Sequence, residues 1–208
     1  MIILHHLNNS RSQRILWLLE ELGVPYEVKR YQRDATTRLA PPELKAIHPL
    51  GKSPVVTDGV NVVAESGAIV EYLIDTYGGG RFRPAEGTAA MVPYRHWLHF
   101  AEGSAMLPLM LALYTSRLGE AAAPLAPRIQ SEIANHLAYL NDSLAKGPFL
   151  LGEDLTGGDI QVSFVIEAAA ASGLIAAYPN LERYAALIQA RPAYQRALVV
   201  GGPYQLGR

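Results

Sequence analysis

The feature that most narrows the folds open to this chain is its opening stretch, residues 2–31. IILHHL is a short apolar run with the length of a buried strand. Asn8-Asn9-Ser10 follows, three residues that hydrogen-bond their own backbone and favour turns. From Arg11 the apolar period becomes helical. Ile15, Leu18, Leu19 and Leu22 fall on one face, with Gly23 as the stop and Pro25 beyond it. YEVKRY, residues 26–31, alternates and reads as a second strand. Strand, helix and strand joined by tight turns make a crossover unit, which closes right-handed onto parallel strands.

Ser10 stands where a helix N-cap should be, and Gln13 three residues later has the spacing of a capping box. The pattern predicts a hydroxyl at a helix N-terminus, whose unpaired N–H groups and partial positive charge suit an anion. Such a serine can serve as a cap alone. With two lone pairs and one hydrogen, it can also cap and still donate to a bound thiolate.

The next segments complete a small α/β unit. Residues 32–42 are polar and end in a Pro-Pro pair, and 43–47 suit one or two helical turns. Pro54 opens a short strand, Asp58-Gly59 is a hairpin turn signal, and residues 60–64 return. Glu65-Ser66-Gly67 then opens a helix with Ile69, Val70, Leu73 and Ile74 on its apolar side, ending at Gly78-Gly79-Gly80. This order, with a proline opening the third strand, is the thioredoxin-like arrangement. Residues 78–87 read as a linker, after which strand signals vanish. Residues 91–118 read as one long helix bent at Pro108, which lacks an N–H and crowds the preceding turn. Ile129, Ile133, Leu137, Leu140 and Leu144 form a helical stripe. Thr156 and Asp159 have the spacing of another N-terminal box before a mostly apolar helix, and two shorter helices follow. The expected fold is α/β plus all-α: a thioredoxin-like domain over 1–80 and an all-helical domain over 88–208.

Composition excludes several functions. A net charge of −1 without a long basic run argues against nucleic-acid and membrane-surface binding. With no cysteine, disulfides, thiolate metal sites and protein-borne thiol chemistry are ruled out, so any sulfur chemistry must use a ligand's sulfur. His5 and His6 lie on a short strand with no metal spacing nearby and read as core or turn histidines, so no metal site is expected. The apolar run 105–114 is too short to span a membrane, and the N-terminus lacks the regions of a signal peptide. The expected location is cytoplasmic.

Four motifs in order resemble the cytosolic glutathione transferases. They are Ser10 and Arg14 followed by Leu16-Trp17-Leu18-Leu19-Glu20-Glu21-Leu22-Gly23; His48-Pro49 with Gly51-Lys52-Ser53-Pro54; Glu65-Ser66 with Ala68-Ile69; and Leu151-Gly152 leading to Thr156 with Asp159-Ile160. The first looks most like the bacterial and fungal branch of serine-type members. The resemblance implies that Pro54 is a cis-proline presenting the Ser53 backbone to the cysteinyl unit of glutathione, and that Lys52 faces the glycine end. It implies that Glu65 and Ser66 hold the γ-glutamyl end. Ser10 becomes the catalytic residue, with Asn9 and Ser12 as fallback thiolate contacts and Arg14 in packing or an ion pair.

The implied activity is attack of the glutathione thiolate, favoured by Ser10, on a small hydrophobic electrophile held against the helical domain. Tyr114, Met110 and Leu107 are candidates for that second site. Glu102 and His99 lie on the helix that often forms the family's homodimer interface, and either could reach a neighbour's glutathione. Two alternatives stay open from sequence: another glutathione-dependent reaction such as peroxide reduction, lyase or isomerase chemistry, and a non-catalytic binding module.

Overall fold

The computed structural model describes residues 1–206. A sheet is built from β1 (Ile2–Leu7), β2 (Tyr26–Tyr31), β3 (Val55–Asp58) and β4 (Asn61–Ala64) in the order β2-β1-β3-β4. β1 and β2 run parallel, with Ile2 opposite Tyr26 and Leu7 opposite Tyr31. β3 runs antiparallel to β1, and β4 to β3. The helices of this half are α1 (Ser12–Leu22), α2 (Glu43–Ile47) and α3 (Ser66–Tyr77). The order is thioredoxin-like, as its alternation predicts, and the Ser53–Pro54 bond is cis.

The second half is helical throughout: α4 (Met91–Phe100), α5 (Met106–Thr115), α6 (Ala126–Ser143), α7 (Gly157–Ala171), α8 (Pro179–Gln189) and α9 (Pro192–Gly201). The stripe from Ile129 to Leu140 is buried along α6, and Leu144 is buried in the short 3-10 turn that follows. The single long helix expected over 91–118 is instead interrupted by a π-turn at Ala101–Ala105. Pro108 explains its position. The proline cannot donate to the Ser104 carbonyl four residues back and its ring crowds that turn, so the backbone widens ahead of it.

α1 is the helix on which the two halves meet. The sequence predicts an amphipathic helix, yet Leu16 and Trp17 are as completely buried as Ile15, Leu18 and Leu19. Its other side is covered by α7 and α9, while β1 and α3 cover the first. The Trp17 ring meets the Tyr194 ring edge-on at 5.6 Å. Each such buried side chain contributes about 1.5–3 kcal/mol, so α1 is held by both halves. Gly201 permits the approach of α9: a Cβ there would lie 2.6 Å from Gln13 Oε1. At the rim, Glu21 pairs with Arg191 at 2.5 Å and Glu20 with Arg196 at 2.6 Å.

Candidate functional site

The candidate residues converge because of the sheet's topology. β1 ends at Leu7, just before the Ser10 turn. β3, running antiparallel, begins at the same end with Val55 opposite His5. β4 returns to that end at Ala64, opposite Val55. Ser10, Ser53, Glu65 and Ser66 therefore gather at one edge of the sheet.

Leu7 links two of them through its own peptide groups. Its N–H donates to Ser53 Oγ at 3.2 Å, and its carbonyl accepts from Ser10 Oγ at 2.8 Å. Ser53 Oγ also donates to the His5 carbonyl at 2.8 Å, so the hydroxyl extends the β1–β3 pairing past the cis bond. The Ser53 side chain thus binds the sheet. Its backbone N–H and carbonyl enter no backbone pairing among the described residues.

Ser10 is 5% exposed and does not form the box expected with Gln13. The helix begins one residue later than that reading requires, with Arg11 as the N-cap. The Gln13 N–H donates to the Ser10 carbonyl at 3.1 Å, and neither end of the Gln13 amide meets a hydrogen-bond partner among the described residues. Ser10 Oγ instead accepts from the Ser12 N–H at 3.2 Å and lies 2.7 Å from Ser12 Oγ. Ser12 Oγ in turn lies 2.8 Å from His6 Nδ1. Ser12 is completely buried, which removes it as a direct thiolate contact. Asn9 takes a positive φ of 50°, and its side-chain oxygen accepts from the Gln205 N–H at 2.7 Å. Burial pushes His6 down to about 4, with Arg30 also lowering it and a backbone hydrogen bond to Gly201 opposing. It is neutral near pH 7.

At the other side of the site, Ser66 Oγ accepts from Arg14 Nη2 and, at 3.1 Å, from Gln161 Nε2. Arg14 is almost wholly buried and also donates to the Gln161 carbonyl and to Glu102 Oε1, each at 2.6 Å. Glu102, on the π-turn, receives Arg11 Nε on both oxygens at 2.8 Å. Burial alone would raise the Glu102 carboxyl, but Arg14 and Arg11 outweigh it and hold it below the usual range. Arg14 thus serves as the ion pair the sequence suggests, and Glu102 is committed within its own chain.

Glu65 is exposed and sits at φ 68°, ψ 119° immediately before α3. A non-glycine residue in such a region costs about 1–3 kcal/mol. Lys52 is exposed on its loop and bonds to no described residue. Along α5, Leu107 is 57% and Tyr114 60% exposed, while Met110 packs partly against the core. His99 is exposed on α4. No cluster of potential metal ligands occurs among the described residues.

Sequence reasoning missed Gln161. It lies within an apolar run 95 residues from Ser66, and its one signal is a polar amide on a helix otherwise buried.

Comparison with known proteins follows the same division. Residues 1–75 match the glutathione S-transferase N-terminal domain and residues 123–187 the glutathione S-transferase C-terminal domain. Glutathione S-transferase 3 of Schizosaccharomyces pombe is 38% identical over 93% of this chain and 85% of its own. The chain belongs to the glutathione S-transferase family. A glutathione S-transferase structure from Actinobacillus pleuropneumoniae is 40% identical, with a TM-score of 0.89 over 96% of this chain and 92% of that one. A glutathione transferase family member from Pseudomonas fluorescens, solved with two glutathione bound, is 29% identical with a TM-score of 0.80, over 95% of this chain and 92% of that one.

Proposed function

We propose that this glutathione S-transferase family member binds glutathione at the sheet edge and uses Ser10 to favour the thiolate for attack on an electrophile. The observation that carries this reading is the hydrogen accounting at Ser66. Its oxygen already accepts from Arg14 and Gln161, so both lone pairs are used and its single hydrogen is left to donate. A donor at the first residue of α3, backed by a buried guanidinium, is suited to the α-carboxylate of a γ-glutamyl group. Glu65, beside it and exposed, suits the ligand's ammonium. Ser53 presents its backbone to the cysteinyl unit, and Lys52 answers the glycine carboxylate.

The thiol then falls near Ser10. A free thiol has a pKa near 8.5, and lowering it by about two units requires about 2.7 kcal/mol. A hydrogen bond to a charged group contributes about 1.5–3 kcal/mol and a helix N-terminus about 0.3–1 kcal/mol. For Ser10 to supply the first, its hydrogen must leave the Leu7 carbonyl, where it lies in the free protein. The electrophile site in this reading is the exposed apolar face of α5, carrying Leu107, Met110 and Tyr114. The chain would work as a cytoplasmic homodimer, with residues 1–80 holding glutathione.

Ser10→Ala tests the assignment. Steady-state kinetics with an aryl halide electrophile should give a turnover loss of about a hundredfold with glutathione KM within a few fold. Equal losses in turnover and affinity would return Ser10 to a purely structural role.

A further inference from the structure

The opening between the Ser10 turn and α5 carries a charge that the reading above does not use. Arg33 follows β2, the strand beside β1, and its guanidinium folds back onto the turn that leads to Ser10. Nε donates to the Asn8 carbonyl at 3.2 Å, Nη2 to the Asn9 carbonyl at 3.4 Å and Nη1 to the Arg38 carbonyl at 3.0 Å. The Arg33 backbone N–H donates to Asn8 Oδ1 at 2.9 Å. The side chain is half-buried and pinned beside Asn9, the residue before Ser10. A guanidinium owns five N–H hydrogens and accepts none. The three carbonyls take three of them, so one remains on each terminal nitrogen, and no carboxylate among the described residues pairs with Arg33.

The nearby acids are engaged elsewhere. Asp34 accepts from the Thr36 and Thr37 N–H groups at 3.0 and 2.6 Å and from the Thr37 hydroxyl at 2.9 Å. Glu102 is shared between Arg11 and Arg14. The surroundings of Arg33 are instead positive: burial lowers its pKa, Arg38 and Arg11 lower it further, and Tyr114 opposes them. A guanidinium crowded by like charge and short of a counter-ion is stabilised by an arriving anion such as a carboxylate.

The same opening has an apolar wall. Tyr114, close enough to act on Arg33, belongs to the exposed face of α5 that also carries Leu107. Arg11, next to Ser10, is tied through Glu102 to the π-turn that leads into α5. Ser10, the face of α5 and Arg33 thus border one space. We propose that the electrophile is an otherwise apolar molecule bearing a carboxylate, and that Arg33 is the residue that selects it. Its body lies on Leu107 and Met110, its carboxylate meets the two remaining Arg33 hydrogens, and its reacting carbon faces the sulfur at Ser10. The inference rests on the transferase reading above and names its substrate class.

The test uses two aryl chlorides of similar shape, 4-chloro-3-nitrobenzoate and 4-chloro-3-nitrobenzamide. In each, the glutathione sulfur forms a bond to the ring carbon, the carbon–chlorine bond breaks and chloride leaves with the electron pair. The wild-type KM should be about tenfold lower for the acid than for the amide, and the gap should narrow as salt is raised. Arg33→Gln should cut the ratio of kcat/KM, acid over amide, about tenfold. Taking the ratio cancels the intrinsic reactivity of each ring and any change the variant makes at the Ser10 turn. Arg33→Lys, which keeps the charge, should retain part of the preference. The salt dependence of the wild type needs no variant, so the inference stays open to refutation if Arg33→Gln fails to fold. A wild-type KM no lower for the acid overturns it. Equal losses on both substrates in Arg33→Gln also overturn it, reducing Arg33 to a support of the Asn8-Asn9 turn. So does a raised glutathione KM with an unchanged ratio, which would give the charge to the glycine carboxylate of glutathione. In Ser10→Ala the ratio should persist while turnover of both substrates falls; undiminished turnover there ends the Ser10 assignment and leaves Arg33 standing. Turnover of neither substrate by the wild type removes the transferase reading, and the inference with it.

Discussion

Two helix entrances in this protein carry the same sequence signal and use it differently. At α7 the box closes on itself. Asp159 accepts from the Thr156 N–H and hydroxyl, both at 2.9 Å, while its other oxygen takes the Leu150 N–H at 2.9 Å and the Tyr184 hydroxyl at 3.2 Å. At α1 the box is left open. Ser10 turns to Leu7 and Ser12, and the Gln13 amide finds no described partner. The closed entrance stabilises the helical half. The open one keeps a hydroxyl poised at the sheet edge where the other candidate residues gather. The same local signal thus serves a helix cap at one entrance and a tie back to β1 at the other.

The contrast can be broken most severely at α7. Asp159→Ala strands the Leu150 and Thr156 N–H groups and the Tyr184 hydroxyl in a dry interior. The expected loss is about 3–5 kcal/mol in urea unfolding. A loss under 1 kcal/mol would mean that the closed box is ornamental.

Acid sharpens the comparison from the α1 side. His6 has a folded pKa of about 4 against an unfolded value near 6.5. The unfolded state therefore binds more protons between those values, and stability falls as pH drops from about 6.5 to 4. The full linkage is about 3 kcal/mol. The slope should flatten in His6→Phe, and an unchanged slope would assign the acid sensitivity to other groups.

A smaller effect separates the two capping residues. Thr156→Ala should cost about 1–2 kcal/mol of stability, whereas Ser10→Ala should cost under about 1 kcal/mol and act on turnover. Smallest is Gln13→Met, which replaces an unpaired buried amide with an apolar side chain of similar length. The expected change is a gain of about 1 kcal/mol, read from the urea midpoint. A loss instead would mean that the amide is held after all.

Much of the fold was legible because period and punctuation are local. The strands, α1, α3 and the α6 stripe follow from apolar spacing, and the hairpin follows from Asp58-Gly59. What spacing conveys poorly is which way a side chain turns and what arrives from far along the chain. The Ser10–Gln13 spacing is right for a box, yet the hydroxyl rotates to Leu7. Leu16 and Trp17 lie off the apolar face of α1, and their burial under α7 and α9 is not contained in the helix's own period. Arg14 reaches the Gln161 carbonyl across 147 residues, and no window of sequence contains both. Pro108 announced a bend, but its effect falls upstream at Ala101–Ala105.

That π-turn sets a phase. One extra residue in a helical turn rotates everything beyond it by about 100° relative to a regular helix. Glu102, inside the turn, is tied to Arg11 and Arg14, so the rotation of α5 is referenced to α1. Leu107, Leu111 and Tyr114, all exposed, are thereby aimed by an anchor in which they take no part. Their chemistry can be rewritten at little cost to the fold, while the direction they face is fixed elsewhere. Inheritance can change the side chains of this surface without renegotiating how the two halves are joined.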